Sequence, residues 1–215
     1  MNRIALLIGI RVCVLIVISS LPIPSVFGRE PLEVKGDRLG MSLQDFKQKY
    51  HRDVRGDAPA PFCSDGRGSK AGVALFLKPW HAEAGVVGCS SYYPYEMTRG
   101  EGPTLAGQKT ELLVYHFVDG ALFRVTVLFP RKGYESVRDA FVTKYGAPDR
   151  SKTDELQNSF GAKFSSENLA WFDTTGDLNL QERVGNVDRS MLVLSDPSLE
   201  KLVESRKPKT ATDDI

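Results

Sequence analysis

The stretch ELLVYHFVDGALFRVTVLF, residues 111–129, contains two β-rich runs, Glu111 to Phe117 and Ala121 to Phe129, joined through Val118, Asp119 and Gly120. Branched and aromatic side chains suit a pleated, half-buried surface, and Asp-Gly supplies the positive-φ positions of a tight hairpin. In the second run Phe123, Val125, Val127 and Phe129 fall on one face, with Arg124 and Thr126 on the other. That alternation predicts an antiparallel sheet with one face buried and the other wet or only partly covered. Pro130 and Gly133 end the second strand.

Beyond the hairpin, Tyr134, Val137, Phe141 and Tyr145 recur at three- and four-residue steps, which predicts a helix over 134–145. Gly146 suits its left-handed cap and Pro148 forbids continuation. A polar stretch follows. Asn168 to Phe172, Leu178 to Val184 and Met191 to Ser195 then read as three strands in hairpin succession. A short helix through Leu199, Leu202 and Val203 is capped by Asp196 or Ser198, and the tail 205–215 has too little apolar content to order itself.

Upstream of the hairpin, Ser42 with Asp45 three residues on forms an Asp variant of the capping box, and Met41 with Phe46 a hydrophobic staple. This predicts a helix over 42–50 with Leu43, Phe46 and Tyr50 toward the core. Between His51 and Gln108 glycine, proline and serine break the pattern, and only Val73 to Leu77 reads as a strand. The order helix, strands, helix, strands predicts an α+β fold, with short helices packed on one face of an antiparallel sheet. LGMSLQDFKQKY and YESVRDAFVTKYG are loosely alike, so residues 29–204 read as one domain with a duplicated helix-plus-β-meander unit as an option, its halves at about 39–129 and 134–204.

Residues 4–22, IALLIGIRVCVLIVISSLP, stand behind a single early positive charge, Arg3. Such a run, followed by Pro22, Pro24 and a small residue at Gly28, reads as a signal peptide spanning 1–28. The alternative is a retained membrane anchor over 4–22. Against it, Arg11 lies near the middle, where it costs about 2.5–3.5 kcal/mol on insertion scales. Cleavage removes Arg3 and Arg11, taking the formal charge from +1 to −1. A nearly neutral chain gives no reason to expect nucleic acid or acidic lipid as partner.

Cys63 and Cys89 remain after cleavage, an even pair in an oxidising compartment, periplasmic or extracellular. Their bridge would close a loop of roughly 27 residues, worth about 3.5 kcal/mol in the chain-entropy model.

Gly40-Met41-Ser42 opening one helix, and Tyr145-Gly146-Ala147-Pro148 closing another before strands, resemble signatures of small envelope proteins. These are the SmpA/OmlA-type outer-membrane assembly lipoproteins and the β-lactamase-inhibitor-protein-like fold. The likeness covers residues 39–50 and 111–150. The chain departs from the lipoproteins in lacking a lipid-attachment cysteine and in its longer middle region. The resemblance implies a non-catalytic protein whose sheet or loops contact another protein, and it carries over no binding residue.

Catalytic and metal templates fail. His81-Ala82-Glu83 has the His-x-Glu of zinc deaminases without their Pro-Cys-x-x-Cys, and neither HExxH nor GxSxG occurs. Residues 66–70 superficially resemble a phosphate loop but lead into a strand pattern, so they read as a surface turn. No cofactor or metal is implied. Tyr92, Tyr93 and Tyr95 form an aromatic loop that either covers the core or offers a contact surface.

The composite expectation is an exported, non-catalytic protein acting by contact with an envelope or secreted protein, through that loop and the wet face of the hairpin. The alternatives are a secreted hydrolase pairing His81 or His116 with a carboxylate and a nucleophile, and a small-ligand carrier. Membrane contact enters only if the N-terminal segment is retained.

Overall fold

The nearly continuous apolar run Leu112–Val118, buried on both faces, pairs with Ala121–Pro130 at the centre of an eight-stranded antiparallel sheet. The computed structural model describes residues 29–53, 60–65, 75–93, 96, 99–157, 161–185 and 187–208. The N-terminal segment 1–28, the surface turn expected at 66–70, Tyr95 and residues from 209 onward lie outside the described residues.

In chain order the elements are α1 (Leu43–Lys49), β1 (Phe62–Cys63), β2 (Val86–Ser90), β3 (Thr104–Leu105), β4 (Gln108–Lys109), β5 (Leu112–Val118), β6 (Ala121–Pro130), α2 (Tyr134–Tyr145), β7 (Arg150–Gln157), β8 (Lys163–Phe172), β9 (Asp177–Gln181), β10 (Arg189–Ser195) and α3 (Pro197–Ser205). The large sheet runs β1-β2-β5-β6-β10-β9-β8-β7, while β3 and β4 form a separate ribbon. The order is symmetric: each half presents a helix and then four strands, and the last strands, β6 and β10, meet at the centre.

Register pairs give the core face directly. Cys89, Tyr115, Val125, Leu194, Leu178 and Trp171 lie side by side across six strands, and all are buried in one cluster. Leu113, Val127, Leu192, Leu180 and Leu169 form the next row. On this layer sit α1, through Phe46, and α2, through Val137, Phe141 and Tyr145. Each such side chain contributes about 1.5–3 kcal/mol by leaving water. Trp171 is fully buried, and its indole N–H donates to the Gly146 carbonyl at 3.0 Å, joining β8 to the end of α2.

The α+β class and the packing of α1 and α2 on one face match the expectation from sequence. Several details differ. A register shift between His116 and Phe117 makes Phe123 a bulge, so Leu122 joins the core row and Phe123 turns to the opposite face. That opposite face also receives the short helix α3, through Val203 and Leu199. The strand expected over 73–77 is absent from its described part, where Leu75 and Phe76 form a turn. Helix α3 runs through Ser205, and Arg206 bonds both the Ala84 carbonyl and Asp119, so order persists past the expected boundary at 205. Strands β1, β2 and β7 were not expected at all.

Residues 29–37 bind the two helices to the sheet. Arg29 donates to the carbonyls of Tyr145, Ala147 and Phe172 and pairs with Asp149. Val34 and Asp37 close a two-residue turn with Lys35 and Gly36 at φ 56° and 78°. Asp37 is fully buried, and its carboxylate accepts from Lys49 Nζ at 2.6 Å, Tyr115 OH at 2.8 Å and Tyr50 OH. Burial, with this carboxylate alongside, raises the phenol pKa of both tyrosines.

Candidate functional site

The face of the sheet away from α1 and α2 divides into a covered part and an open part. One register row crosses it as Leu112, Leu128, Met191, Gln181, Asn168 and Lys152. Its neighbour reads Val114, Thr126, Val193, Asn179, Ala170 and Arg150. Leu112, Leu128, Met191 and Val193 are half-buried, Asn179, Gln181 and Asn168 likewise, and Lys152 and Arg150 are exposed. Val114, Thr126 and Ala170 are buried between these side chains, and the open part grades from apolar through amide to cationic across six strands. Amides and aliphatic groups side by side on a rigid strand surface suit a partner offering both backbone and apolar contact.

At the apolar end of this strip stands Tyr93. Its ring stacks on Phe62 at 4.9 Å between centroids and packs with Leu112 against Leu75 and Val114. Its backbone N–H donates to Glu96 at 2.6 Å. Glu96 in turn takes both guanidinium nitrogens of Arg52, at 2.8 and 2.7 Å, and that guanidinium lies 4.8 Å from the Tyr92 ring centroid. The two adjacent tyrosines thus have separate partners: Tyr93 belongs to the open strip, while Tyr92 stacks on Arg52. Both stay half-exposed.

The covered part holds His81 and His116, 6.4 Å apart between ring centroids. They line a cavity of about 120 Å³ with Phe76, Lys78, Phe123, Arg124, Glu200, Val203 and Glu204. Two ion pairs close it, Arg124 with Glu200 at 2.6 Å and Lys78 with Glu204 at 3.1 Å. His116 Nε2–H donates to the Leu75 carbonyl at 2.8 Å, and His81 Nδ1 accepts the Lys78 backbone N–H at 3.2 Å. The hydrolase alternative asked for histidine, acid and nucleophile together. Histidine and acid do meet here, but among the described residues the lining offers neither hydroxyl nor thiol. Among the described residues no group of three His, Cys, Asp or Glu side chains is placed to hold a metal ion.

Burial pushes the His116 imidazole down to about 4, and the Arg124 charge and His81 nearby push the same way. Burial lowers His81 as well. An unfolded histidine titrates near 6.5, so between that pH and about 4 the unfolded chain binds a proton that folded His116 refuses. Stability therefore falls as pH drops through this window, by about 2.5 kcal/mol at pH ~4.5 from this one group. His116→Gln retains a donor for the Leu75 carbonyl and removes the titration. Urea midpoints of the variant should lose the His116 share of the wild-type slope between neutral pH and pH ~4.5, His81 and the ion-paired carboxylates keeping theirs. Parallel curves would contradict the assignment.

No family, curated protein or solved structure matches the chain. What the site can do rests on its own geometry.

Cys63 and Cys89 form the expected disulfide, and as directly paired residues of β1 and β2 they fasten the sheet edge beneath Tyr93. Tyr95, expected beside Tyr92 and Tyr93, lies outside the described residues. The half-exposed residues Met191, Val193, Asn179 and Gln181 were not singled out from sequence. Their signal was present in β9 and β10: Leu178 and Leu180 alternate with amides, while Met191 to Leu194 is apolar on both faces. A strand apolar on both faces marks a second surface that is not simply wet.

Proposed function

We propose that the protein is exported and acts without catalysis, by holding another protein of the cell envelope or exterior against the open strip of its sheet. The observation that carries this reading is the run of half-exposed apolar side chains, Leu112, Leu128, Met191 and Val193, continued by three amides and bordered by Tyr93. Rigid strands presenting apolar side chains at fixed spacing give a partner a preorganised surface, which lowers the entropic cost of association. An aromatic at the margin adds contact area with few rotatable bonds.

Export is supported by the apolar leader 4–22 and by the Cys63–Cys89 bridge, which persists in oxidising surroundings. Among the described residues no helix is long and apolar enough to cross a membrane. The likeness of Gly40-Met41-Ser42 and Tyr145-Gly146-Ala147-Pro148 to envelope assembly proteins points the same way.

The test is affinity capture from an envelope fraction. Wild-type protein should retain a discrete partner, and Met191→Asp or Leu128→Asp should reduce retention at least about tenfold, the loss of one well-packed contact. Alanine at both Tyr92 and Tyr93 should weaken it through Tyr93. Val142→Asp, on the exposed side of α2, should change nothing. Equal capture by all variants would exclude the strip.

A further inference from the structure

Among the described residues strand β7 is the sheet's long free edge. Its eight residues pair with β8 in unbroken register from Arg150↔Ala170 to Gln157↔Lys163, and most of its side chains are exposed. The opposite edge, β1, has only two residues. A long, straight edge with unpaired N–H and C=O groups is a template for another strand.

The direction of those groups follows from β8. Glu167 presents its carbonyl toward β9, accepting from Glu182 N–H, and its own N–H goes to the Glu182 side chain. The Ser165 carbonyl faces the same side, accepting from Arg183. Odd-numbered residues of β8 thus face β9 and even-numbered ones face β7, so Arg150, Lys152, Asp154 and Leu156 form the hydrogen-bonded pairs with β8. Ser151, Thr153 and Glu155 are left with backbone donors and acceptors pointing outward.

We infer that β7 pairs antiparallel with β7 of a second copy of this chain, on a two-fold axis through Thr153, joining two sheets into one. In that register Thr153 exchanges both hydrogen bonds with its counterpart, and Ser151 does so with Glu155 of the second copy. Lys152 then stands opposite Asp154 of the second copy, twice by symmetry, in the non-hydrogen-bonded pairs where cross-strand side chains come closest. Charges on an edge strand ordinarily block pairing. Here the order Lys152, Thr153, Asp154 is complementary to itself when reversed, which a two-fold, isologous contact requires. Within one chain Lys152 and Asp154 already pair across the same face at 2.5 Å, so both are positioned for the exchange.

Sedimentation of the intact purified protein tests this, with amide hydrogen exchange as a second readout. Wild type should dimerise with concentration, and the amides of Ser151, Thr153 and Glu155 should gain protection as it does. Lys152→Asp should weaken self-association at least about tenfold, by placing like charges opposite each other twice. The exchange Lys152→Asp with Asp154→Lys should restore it. Thr153→Pro removes an outward N–H while sparing the ladder to β8, and should give a monomer. A wild type that stays monomeric, or a dimer indifferent to both Lys152→Asp and Thr153→Pro, overturns the inference. If Thr153→Pro fails to fold, the charge exchange decides alone.

Discussion

Asp37→Ala lowers stability by about 3–4 kcal/mol, read as a lower urea midpoint at unchanged m-value. The carboxylate is fully buried and has three donors, from α1, from the residue that caps α1, and from β5. Without it Lys49, 42% exposed at its side chain, turns to water at little cost. Tyr115 cannot, because its ring lies in the core and its hydroxyl would be left with only the distant Tyr50 oxygen, 3.5 Å away. An orphaned buried hydroxyl costs about 1–3 kcal/mol, and the lost packing of residues 32–37 adds to it. Tyr115→Phe in the alanine background should recover part of the loss, since it removes the orphan. A loss below about 1 kcal/mol for Asp37→Ala would mean the cluster does not hold the N-terminal segment.

Joint replacement of Cys63 and Cys89 by serine lowers stability by about 3.5 kcal/mol, the chain-entropy value for a loop of this length. The bridge spans 26 residues and joins directly opposed positions of β1 and β2. Strand β1 has just two residues, so beside the bridge this edge is held by the packing of Phe62 on Tyr93 and by the Ser64–Gly88 hydrogen bonds. The closed loop also contains Leu75 and the turn that covers His116. Its release should therefore raise amide exchange at Phe62 and Leu75 and expose His116, before any change in α2 or β8. Uniform destabilisation without local exchange at those residues would contradict this placement.

How much of this was legible in sequence depends on how local the controlling interaction is. The 121–129 strand and the 134–145 helix were readable because Asp119-Gly120, Gly146 and Pro148 punctuate them and their apolar spacing spans whole elements. Strand β7 was not, because RSKTDELQ is an exposed edge with no buried face to impose alternation. Strand β2, VVGCS, is short, and its Gly88 leaves room for Leu75 and Leu77 to pack closely over it, so a glycine that reads as a break is a packing site. Phe123 was placed on the wrong face because a bulge changes parity without altering composition. Asp37 gave no signal, its partners being 12, 13 and 78 residues away. Tyr93 was found as a loop aromatic. The strip beside it joins strands from both halves of the chain, a juxtaposition that only the sheet order reveals.

On the proposed function, the open strip holds a partner outside the cytoplasm. This is tested most directly by a photo-crosslinking side chain at position 191 in intact cells, followed by fractionation. A discrete covalent adduct to another protein should form in the envelope or external fraction, be abolished by Leu128→Asp and be absent when the probe is moved to position 142. Recovery of the chain in the cytoplasm with Cys63 and Cys89 reduced, and no adduct from position 191, would contradict it.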